Sequence, residues 1–180
     1  MGKYSFADRA KRKEPMSQEE ALKTISEADT PAFRALLSVL WIWGPRINEA
    51  LRLEKRDFDV FERQMRVRMP LSKKRKEGVF HVLHANLTTP GMEGLLEYLE
   101  EAPDGKLFHF SKRSVQRWLH KLNPNTSPHW FRHTRATRLA ERSDDVMALV
   151  DWFGWADPRP AMSYVQMSGK LAKRLSDKVD

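Results

Sequence analysis

One region of this chain alternates polar and apolar residues, and that pattern limits the possible folds more than any other. Residues 64–69 place apolar side chains at every second position, as a strand with one buried face does. Residues 79–83 are interpreted as a partner strand, and residues 72–78 between the two form a basic turn. These features predict an antiparallel sheet of two or three strands with a cation-rich hairpin tip.

Helix signals dominate the rest of the chain. We predict helix starts where serine or threonine precedes an apolar stripe, in three cases with proline directly after it. The predicted starts are Ser17, Thr30-Pro31, Thr89-Pro90, Ser111 and Ser127-Pro128. Two short helices are expected at residues 46–53 and 161–165, and Gly44 and Gly154 are expected to follow helix ends. The fold class is therefore predicted to be α+β, mostly helical with one small antiparallel sheet.

The chain is predicted to contain one domain with a short segment on either side. Residues 15–168 form the domain, because 180 residues suffice for one hydrophobic core. Residues 1–14 are basic and poor in large apolar groups, so they are either a solvated tail or an arm along a nucleic-acid backbone. Residues 169–180 are expected to form a polar C-terminal helix with Leu171 and Leu175 on one side.

Charge and cysteine content narrow the classes of function. Lysine and arginine number 32 against 24 aspartates and glutamates, which gives a net charge of +8. Such an excess favours a polyanionic partner, nucleic acid first and an anionic membrane surface second. The absence of cysteine excludes a disulfide framework, a thiolate zinc site and a cysteine nucleophile. With no run of eighteen apolar residues and no apolar leader, we expect no membrane span and an intracellular location.

Two groups of charged residues are candidates for a functional site. Arg46 opens a short predicted helix, where a guanidinium and backbone N–H groups favour an anion, and Glu49 lies three residues on, able to orient it. His129 and Arg132 are spaced to share one helical face, with His133 close to it. A metal site at His129 and His133 is not expected, because no glutamate follows His129 and no cysteine can complete it. Each group taken alone is more often an ordinary helix face.

A tryptophan and a tyrosine follow these groups in the sequence. Trp155 has an indole N–H that can only donate a hydrogen bond, and Tyr164 comes nine residues later. Either residue alone is usually structural. Together with the basic groups they suit phosphodiester cleavage, since two arginines can clamp the non-bridging oxygens while a tyrosine hydroxyl attacks the phosphorus. A histidine can accept the phenolic proton, and a lysine on the hairpin can protonate the leaving oxygen.

The ordered motifs resemble the catalytic domain of the tyrosine recombinase (phage integrase) family. The resemblance covers roughly residues 15–168, and it rests on Gly44-x-Arg46-Ile47-x-Glu49-x-Leu51, a hairpin lysine (Lys73 or Lys74), His129-x-x-Arg132-His133-Thr134, Gly154-Trp155 and Tyr164. Trp155 stands where histidine is commoner in the family, and Pro45 and Trp130 have no interpretation. Members usually carry a separate N-terminal DNA-binding domain, whereas this chain starts almost directly at the catalytic domain. We therefore expect weak, salt-sensitive DNA affinity.

The resemblance implies a role for each matched residue. Tyr164 would attack the scissile phosphate and leave a 3′-phosphotyrosyl link with a free 5′-hydroxyl. Arg46 and Arg132 would hold the non-bridging oxygens of that phosphate. His129 would assist proton transfer, and Trp155 would donate a hydrogen bond to the phosphate.

Further residues would act around these. Lys74 would protonate the leaving oxygen, although Lys73 and Lys76 are rivals for that role. Glu49 would support Arg46, and His133 would support the pocket. The hairpin cations expected to bind DNA are Lys73, Arg75 and Lys76.

The function implied is that of a site-specific DNA recombinase or integrase that cuts and rejoins double-stranded DNA without metal, ATP or another cofactor. Self-association on DNA, from dimer to tetramer, is also implied, with Leu171 and Leu175 docking on a neighbouring protomer; a frayed polar tail is the alternative. Three other functions stay open: a type IB topoisomerase-like relaxing enzyme, a DNA-binding module without catalysis, and a protein-interaction domain. The expected location is the cytoplasm or nucleoid, or the nucleus of a eukaryotic host.

Overall fold

The computed structural model describes residues 14–71 and 80–169, and their elements confirm the predicted α+β class. A single-turn 3-10 helix, Lys55–Asp57, precedes the strands. The helices and strands, numbered in chain order, are α1 (Gln18–Ser26), α2 (Pro31–Trp43), α3 (Ile47–Ala50), β1 (Phe58–Phe61), β2 (Gln64–Pro70), β3 (Phe80–Asn86), α4 (Glu93–Glu101), α5 (Lys112–Leu122), α6 (Pro128–Arg142), α7 (Val146–Phe153) and α8 (Arg159–Met167). Among the described residues, no helix is both long and apolar enough to cross a membrane.

The three strands form one antiparallel sheet in the order β1-β2-β3. The predicted alternation sets the buried face of β2, because Met65, Val67 and Met69 are each at most 1% exposed. Val67 pairs with Leu83 of β3, which is also buried. The basic turn predicted at residues 72–78, with its cations Lys73, Lys74, Arg75 and Lys76, lies outside the described residues.

Helix α2 forms the centre of the hydrophobic core. Its side chains are apolar nearly all round, and Leu36, Leu37, Leu40 and Trp43 are fully buried. A helix that is apolar on every face must be covered on every face. Accordingly, α2 contacts α1, α4, α6 and the sheet.

Four of the five predicted helix starts are confirmed, and each uses the expected side-chain cap. Ser17, Thr30, Ser111 and Ser127 each accept a hydrogen bond from a backbone N–H three residues on. The short helices are found with different lengths, since α3 is only Ile47–Ala50 and α8 extends over Arg159–Met167.

The predicted helix start at Thr89-Pro90 is wrong. Helix α4 begins at Glu93, because Gly91 has φ +91°, which no α-helix accommodates. The Pro90 carbonyl instead accepts a hydrogen bond of 3.0 Å from Nε1 of Trp41. The segment before α4 is thus a turn held against α2.

Two left-handed glycines bring the ends of α2 and α7 against α6. Gly44 (φ +65°) ends α2 and Gly154 (φ +58°) ends α7. A β-carbon at Gly44 would lie 2.9 Å from Cβ of Arg135 and 3.2 Å from the Phe153 ring, so the close approach requires glycine. A smaller apolar cluster of α6, α7 and α8 packs on this junction. The candidate site lies here.

Candidate active site

Arg132 lies at the junction of three helices. The side chain belongs to α6, and the residue is only 7% exposed. Nη1 donates to the Gly44 carbonyl at 3.0 Å, and Nη2 donates to the Phe153 carbonyl at 3.1 Å. These oxygens lie at the ends of α2 and α7, where helix carbonyls lack intrahelical partners and carry partial negative charge. Two helix ends therefore hold one guanidinium in a fixed orientation.

Burial lowers the pKa of Arg132 to about 10, and the nearby positive charge of Arg46 adds to that decrease. The negative charge of Glu49 and an electrostatic interaction with Tyr164 act in the opposite direction. A pKa near 10 leaves the guanidinium charged at neutral pH. The site therefore contains a buried cation that can bind an anion.

Glu49 joins Arg132 to Arg46. It is 1% exposed, and its Oε2 accepts a hydrogen bond of 2.7 Å from the backbone N–H of Arg46. Its Oε1 accepts a second bond of 3.0 Å from Nη1 of Arg46, so the pairing expected from the three-residue spacing is present. Nη1 of Arg132 lies 3.9 Å from the same carboxylate. One buried carboxylate thus positions two guanidiniums whose combined charge exceeds its own.

A cavity of about 290 Å³ opens beside these arginines. The residues that line it come from the start of α3 and the segment leading into it, from α5, and from the first two turns of α6 with its N-cap. They are Pro45, Arg46, Ile47, Asn48, Lys112, Gln116, Ser127, Pro128, His129 and Arg132. His129 is exposed to solvent at this cavity. The volume and the three cationic or imidazole-bearing motif residues suit a phosphate group.

Lys112 and Gln116 were not singled out from the sequence. Both lie on α5, whose Lys112 is the first helical residue. The basic pattern of α5 (Lys112, Arg113, Arg117) is visible in the sequence, but nothing in the spacing indicates that it faces α3 and α6. Only the tertiary packing places Lys112 in the same cavity as Arg46.

Tyr164 is held in an aromatic stack beside the cavity. Its ring is parallel to that of Trp155, with 5.9 Å between centroids and an angle of 5°. Trp155 stacks in turn on Phe153 at 4.7 Å, and the guanidinium of Arg132 lies over both of those rings, 4.7 Å from Phe153 and 5.6 Å from Trp155. Tyr164, although described, does not belong to the residues that line the cavity. Its ring is therefore connected to the arginine site through Trp155.

The histidine at the tyrosine hydroxyl is His133. Nδ1 of His133 lies 3.1 Å from the Tyr164 hydroxyl, within hydrogen-bond distance. Trp130 also stacks on that imidazole, with 4.7 Å between ring centroids, which explains a tryptophan that the sequence left uninterpreted. His129 instead lines the cavity. The structure separates the two histidines between the nucleophile candidate and the cavity, a distinction that their four-residue spacing did not reveal.

The predicted residues form two adjoining groups. Arg46, Glu49, His129 and Arg132 surround or support the cavity, whereas His133, Trp155 and Tyr164 form the neighbouring aromatic group. The four hairpin cations lie outside the described residues, so their placement stays a prediction.

Sequence comparison relates this chain to one family of proteins. Residues 14–170 match the sequence model of the phage integrase family. The chain is 28% identical over 161 residues to a protein named tyrosine recombinase XerC from Chlamydia pneumoniae, and 29% identical over 159 residues to one of the same name from Proteus mirabilis. These alignments cover 78% and 80% of this chain but 49% and 50% of the relatives. The chain therefore spans about half the length of these curated relatives.

Solved structures share the fold. A XerH site-specific recombinase in a pre-cleavage complex with difH substrate superimposes with a TM-score of 0.69 at 18% identity, covering 84% of this chain and 49% of that one. The catalytic domain of bacteriophage HP1 integrase superimposes with a TM-score of 0.61 at 13% identity, covering 90% of this chain and 93% of that one. At these identities the similarity shows the fold alone.

Proposed function

The chain belongs to the phage integrase family, and from that premise we propose that it cuts and rejoins DNA strands through a covalent link to Tyr164. The main support for this proposal is the arrangement of the arginines and the tyrosine. Two arginines, held by one buried carboxylate, adjoin a cavity of about 290 Å³, and an aromatic stack connects that site to a tyrosine. A DNA-binding module needs the arginines, but it does not need a tyrosine held beside them.

Arg46 and Arg132 bind the scissile phosphate. The transition state of phosphoryl transfer places negative charge on the non-bridging oxygens, and preorganised guanidiniums stabilise that charge. Arg132 is preorganised because both of its terminal nitrogens donate to backbone carbonyls. Arg46 is more accessible, with 27% of its side chain exposed, and it is tied to Glu49. Lys112 adds a positive charge at the same cavity.

The chemical step exchanges one phosphoester bond for another. The Tyr164 oxygen forms a bond to phosphorus, the bond from phosphorus to the 5′ oxygen breaks, and the 3′ phosphate remains on the tyrosine. The phenolic proton passes to a base, and we assign this role to His133 because Nδ1 lies 3.1 Å from the hydroxyl. Since Tyr164 is not among the cavity residues, its hydroxyl has to turn toward the bound phosphate to reach about 3–3.5 Å.

Proton transfer at the other end of the reaction needs a separate group. The departing 5′ oxygen takes a proton, and we assign this to Lys74 of the hairpin, with Lys73 and Lys76 as alternatives. His129 lines the cavity, so we place its assistance in proton transfer at the bound phosphate. The phosphotyrosyl ester conserves the bond energy, so a 5′-hydroxyl from the same or another strand can reverse the step. In this scheme the chain uses neither metal nor ATP.

The proposed partner is double-stranded DNA. The net charge of +8 favours a polyanion. Two structural neighbours were solved as complexes: XerH with difH substrate, and the Tn1549 transposon integrase with transposon right end DNA. Lys73, Arg75 and Lys76 of the hairpin are proposed to contact the backbone. Self-association from dimer to tetramer on DNA is proposed to use residues 169–180.

Plasmid topology separates strand exchange from simple relaxation. Two supercoiled plasmids of different size, each carrying a library of candidate sites, are incubated with the chain in EDTA without ATP. Recombination predicts joined products that contain sequence from both plasmids. Relaxed topoisomers without any joined product, and without preference for a site, would instead support the type IB topoisomerase-like alternative. Gel shifts that show DNA binding without strand breakage would support the binding module.

A further inference from the structure

A second cavity, of about 500 Å³, lies along α6 apart from the candidate active site. Arg135, Arg138 and Arg142 line it from the helix, spaced three and four residues apart so that they share one side. Trp41 of α2 and Trp152 of α7 lie on its walls. None of these five residues lines the cavity beside Arg46 and Arg132.

In the part of the chain that the structure describes, none of the three arginines forms an ion pair with a carboxylate. Burial lowers the pKa of Arg135 to about 10, and the charges of Arg138 and Arg142 add to the decrease. Burial and Arg142 also lower the pKa of Arg138, opposed by Glu141. The cluster thus holds three repelling charges that an anion would stabilise.

Two tryptophans hold the guanidiniums in place. Arg138 lies 4.7 Å from the centroid of Trp41, whose Nε1 donates to the Pro90 carbonyl at 3.0 Å. Arg135 lies 5.2 Å from the centroid of Trp152, whose Nε1 donates to the Trp43 carbonyl at 2.9 Å. Each indole is therefore fixed by its own N–H while its ring supports an arginine.

The arginines at this cavity include a buried N–H donor that lacks an acceptor among the described residues. Nε of Arg135 is buried, and it has no hydrogen-bond partner in the described ranges 14–71 and 80–169. Nη2 of Arg138 donates a hydrogen bond of 3.3 Å to Oε1 of Gln18. Asn86 and Thr88, whose side chains are neutral and polar, also line the cavity. A buried donor without an acceptor costs free energy, and a bound oxyanion would supply that acceptor.

We propose that this cavity binds phosphate groups at Arg135, Arg138 and Arg142, as a site separate from the one at Tyr164. Guanidinium groups bind phosphate through paired N–H donors, and three of them around one cavity exceed the charge of a single phosphodiester. The phosphates belong either to a nucleic-acid backbone or to a free oligophosphate. The recognition chemistry is the same in both cases.

Isothermal titration calorimetry with inorganic tripolyphosphate tests the site directly. The proposal predicts binding by the wild-type chain, and affinity at least about tenfold weaker in the double variant Arg138→Gln/Arg142→Gln. The matched control is Lys23→Gln/Arg56→Gln, which removes the same charge from two exposed positions elsewhere. Circular dichroism and the Tm without ligand confirm that both double variants fold.

The same variants identify the source of the phosphate. If the site binds the DNA backbone, the slope of log K against log salt for a duplex becomes shallower by about 2 in the arginine variant relative to the control. An unchanged slope together with lost tripolyphosphate binding assigns the site to a free oligophosphate. The proposal is overturned if the wild type does not bind tripolyphosphate, or if the arginine variant binds it as well as the control does; the arginines then only pack on the tryptophans.

The cavity beside Arg46 and Arg132 is itself proposed to bind a phosphate, so every chain compared in these titrations also carries Arg46→Gln. Tyr164 lines neither cavity, so adding Tyr164→Phe is expected to leave tripolyphosphate binding unchanged. DNA cleavage without binding at this second cavity would refute only the phosphate site. Binding at this cavity without DNA cleavage would refute only the proposed function.

Discussion

At the scale of single residues, the site depends on how one buried charge is compensated. Arg132 is satisfied by two backbone carbonyls and lies near one carboxylate, yet the carboxylate is shared with Arg46. The sequence predicted Arg46, Glu49 and Arg132 as neighbours, because motif spacing and charge type are visible in it. It could not predict that Gly44 and Phe153 supply the acceptors, since any residue carries a carbonyl.

Replacing Arg132 by lysine tests this compensation. Lysine keeps the charge but cannot donate to both carbonyls and present a planar fork to phosphate. We expect DNA cleavage to fall by about 10²–10³-fold, the range seen when a preorganised donor to a transition-state oxygen is removed. We also expect a loss of about 1–3 kcal/mol in the free energy of unfolding, measured by urea denaturation. Full cleavage activity in Arg132→Lys would contradict the role in phosphate binding.

The assignment of the two histidines is tested by single-turnover cleavage rates. A base at the tyrosine takes up the phenolic proton as the hydroxyl attacks phosphorus, so removing the base slows cleavage. In His133→Gln we expect a rate lower by about 10²–10⁴-fold. His129→Gln serves as the comparison, because its side chain lines the cavity instead. A larger loss in His129→Gln than in His133→Gln would reverse the assignment.

At the scale of elements, the ends of α2 and α7 position the side chain of Arg132 in the candidate site. Gly44 and Gly154 follow α2 and α7 as the sequence predicted, and four helix caps were also predicted correctly. The failure at Thr89-Pro90 shows the limit of such signals: Gly91 takes φ +91°, and the tertiary contact between Pro90 and Trp41 stabilises a turn. Local sequence predicts most helix caps, but it does not predict where tertiary contacts stabilise a turn in place of a helix start.

Gly44→Ala is expected to disturb the site from a distance. The new methyl group would lie 2.9 Å from Cβ of Arg135, and the left-handed backbone would be strained. Gly105→Ala is the matched control, because Gly105 also has a positive φ (+96°) but nothing lies within 4 Å of a β-carbon there. By urea denaturation, we expect about 1–2 kcal/mol of destabilisation in the control from backbone strain. Overpacking adds a further loss of about 1–3 kcal/mol in Gly44→Ala.

Equal destabilisation in the two glycine variants would contradict the close packing of α2 on α6. The same comparison applies to cleavage. Gly44→Ala should lower it, because the Gly44 carbonyl holds Arg132, whereas Gly105→Ala should leave it unchanged.

At the scale of the whole molecule, helix and strand signals predicted the fold class, and the order of motifs along the chain predicted the family. What the sequence could not give is the placement of parts that are distant in sequence, such as α5 beside the start of α3, or Tyr164 against His133 rather than in the cavity. These depend on packing of residues that carry no motif. The role of the C-terminal segment also belongs to this scale, because it concerns contacts between chains.

Deleting residues 169–180 tests self-association. If Leu171 and Leu175 dock on a neighbouring protomer, the deletion should abolish cooperative DNA binding while the affinity of a single chain for a half-site changes less than about threefold. Gel shifts over a protein titration distinguish the two quantities. A deletion variant with undiminished cooperativity and synapsis would leave the segment as a polar tail.

Covalent catalysis by Tyr164 is tested by trapping the covalent intermediate between the chain and DNA. Supercoiled plasmid is incubated with the chain in EDTA without ATP, and the reaction is stopped with SDS. The chain has three tyrosines, so Tyr4→Phe and Tyr98→Phe are matched controls for Tyr164→Phe. We predict nicked DNA with covalently attached protein for the wild type and both controls, and none for Tyr164→Phe. Covalent attachment that persists in Tyr164→Phe would contradict catalysis by this tyrosine.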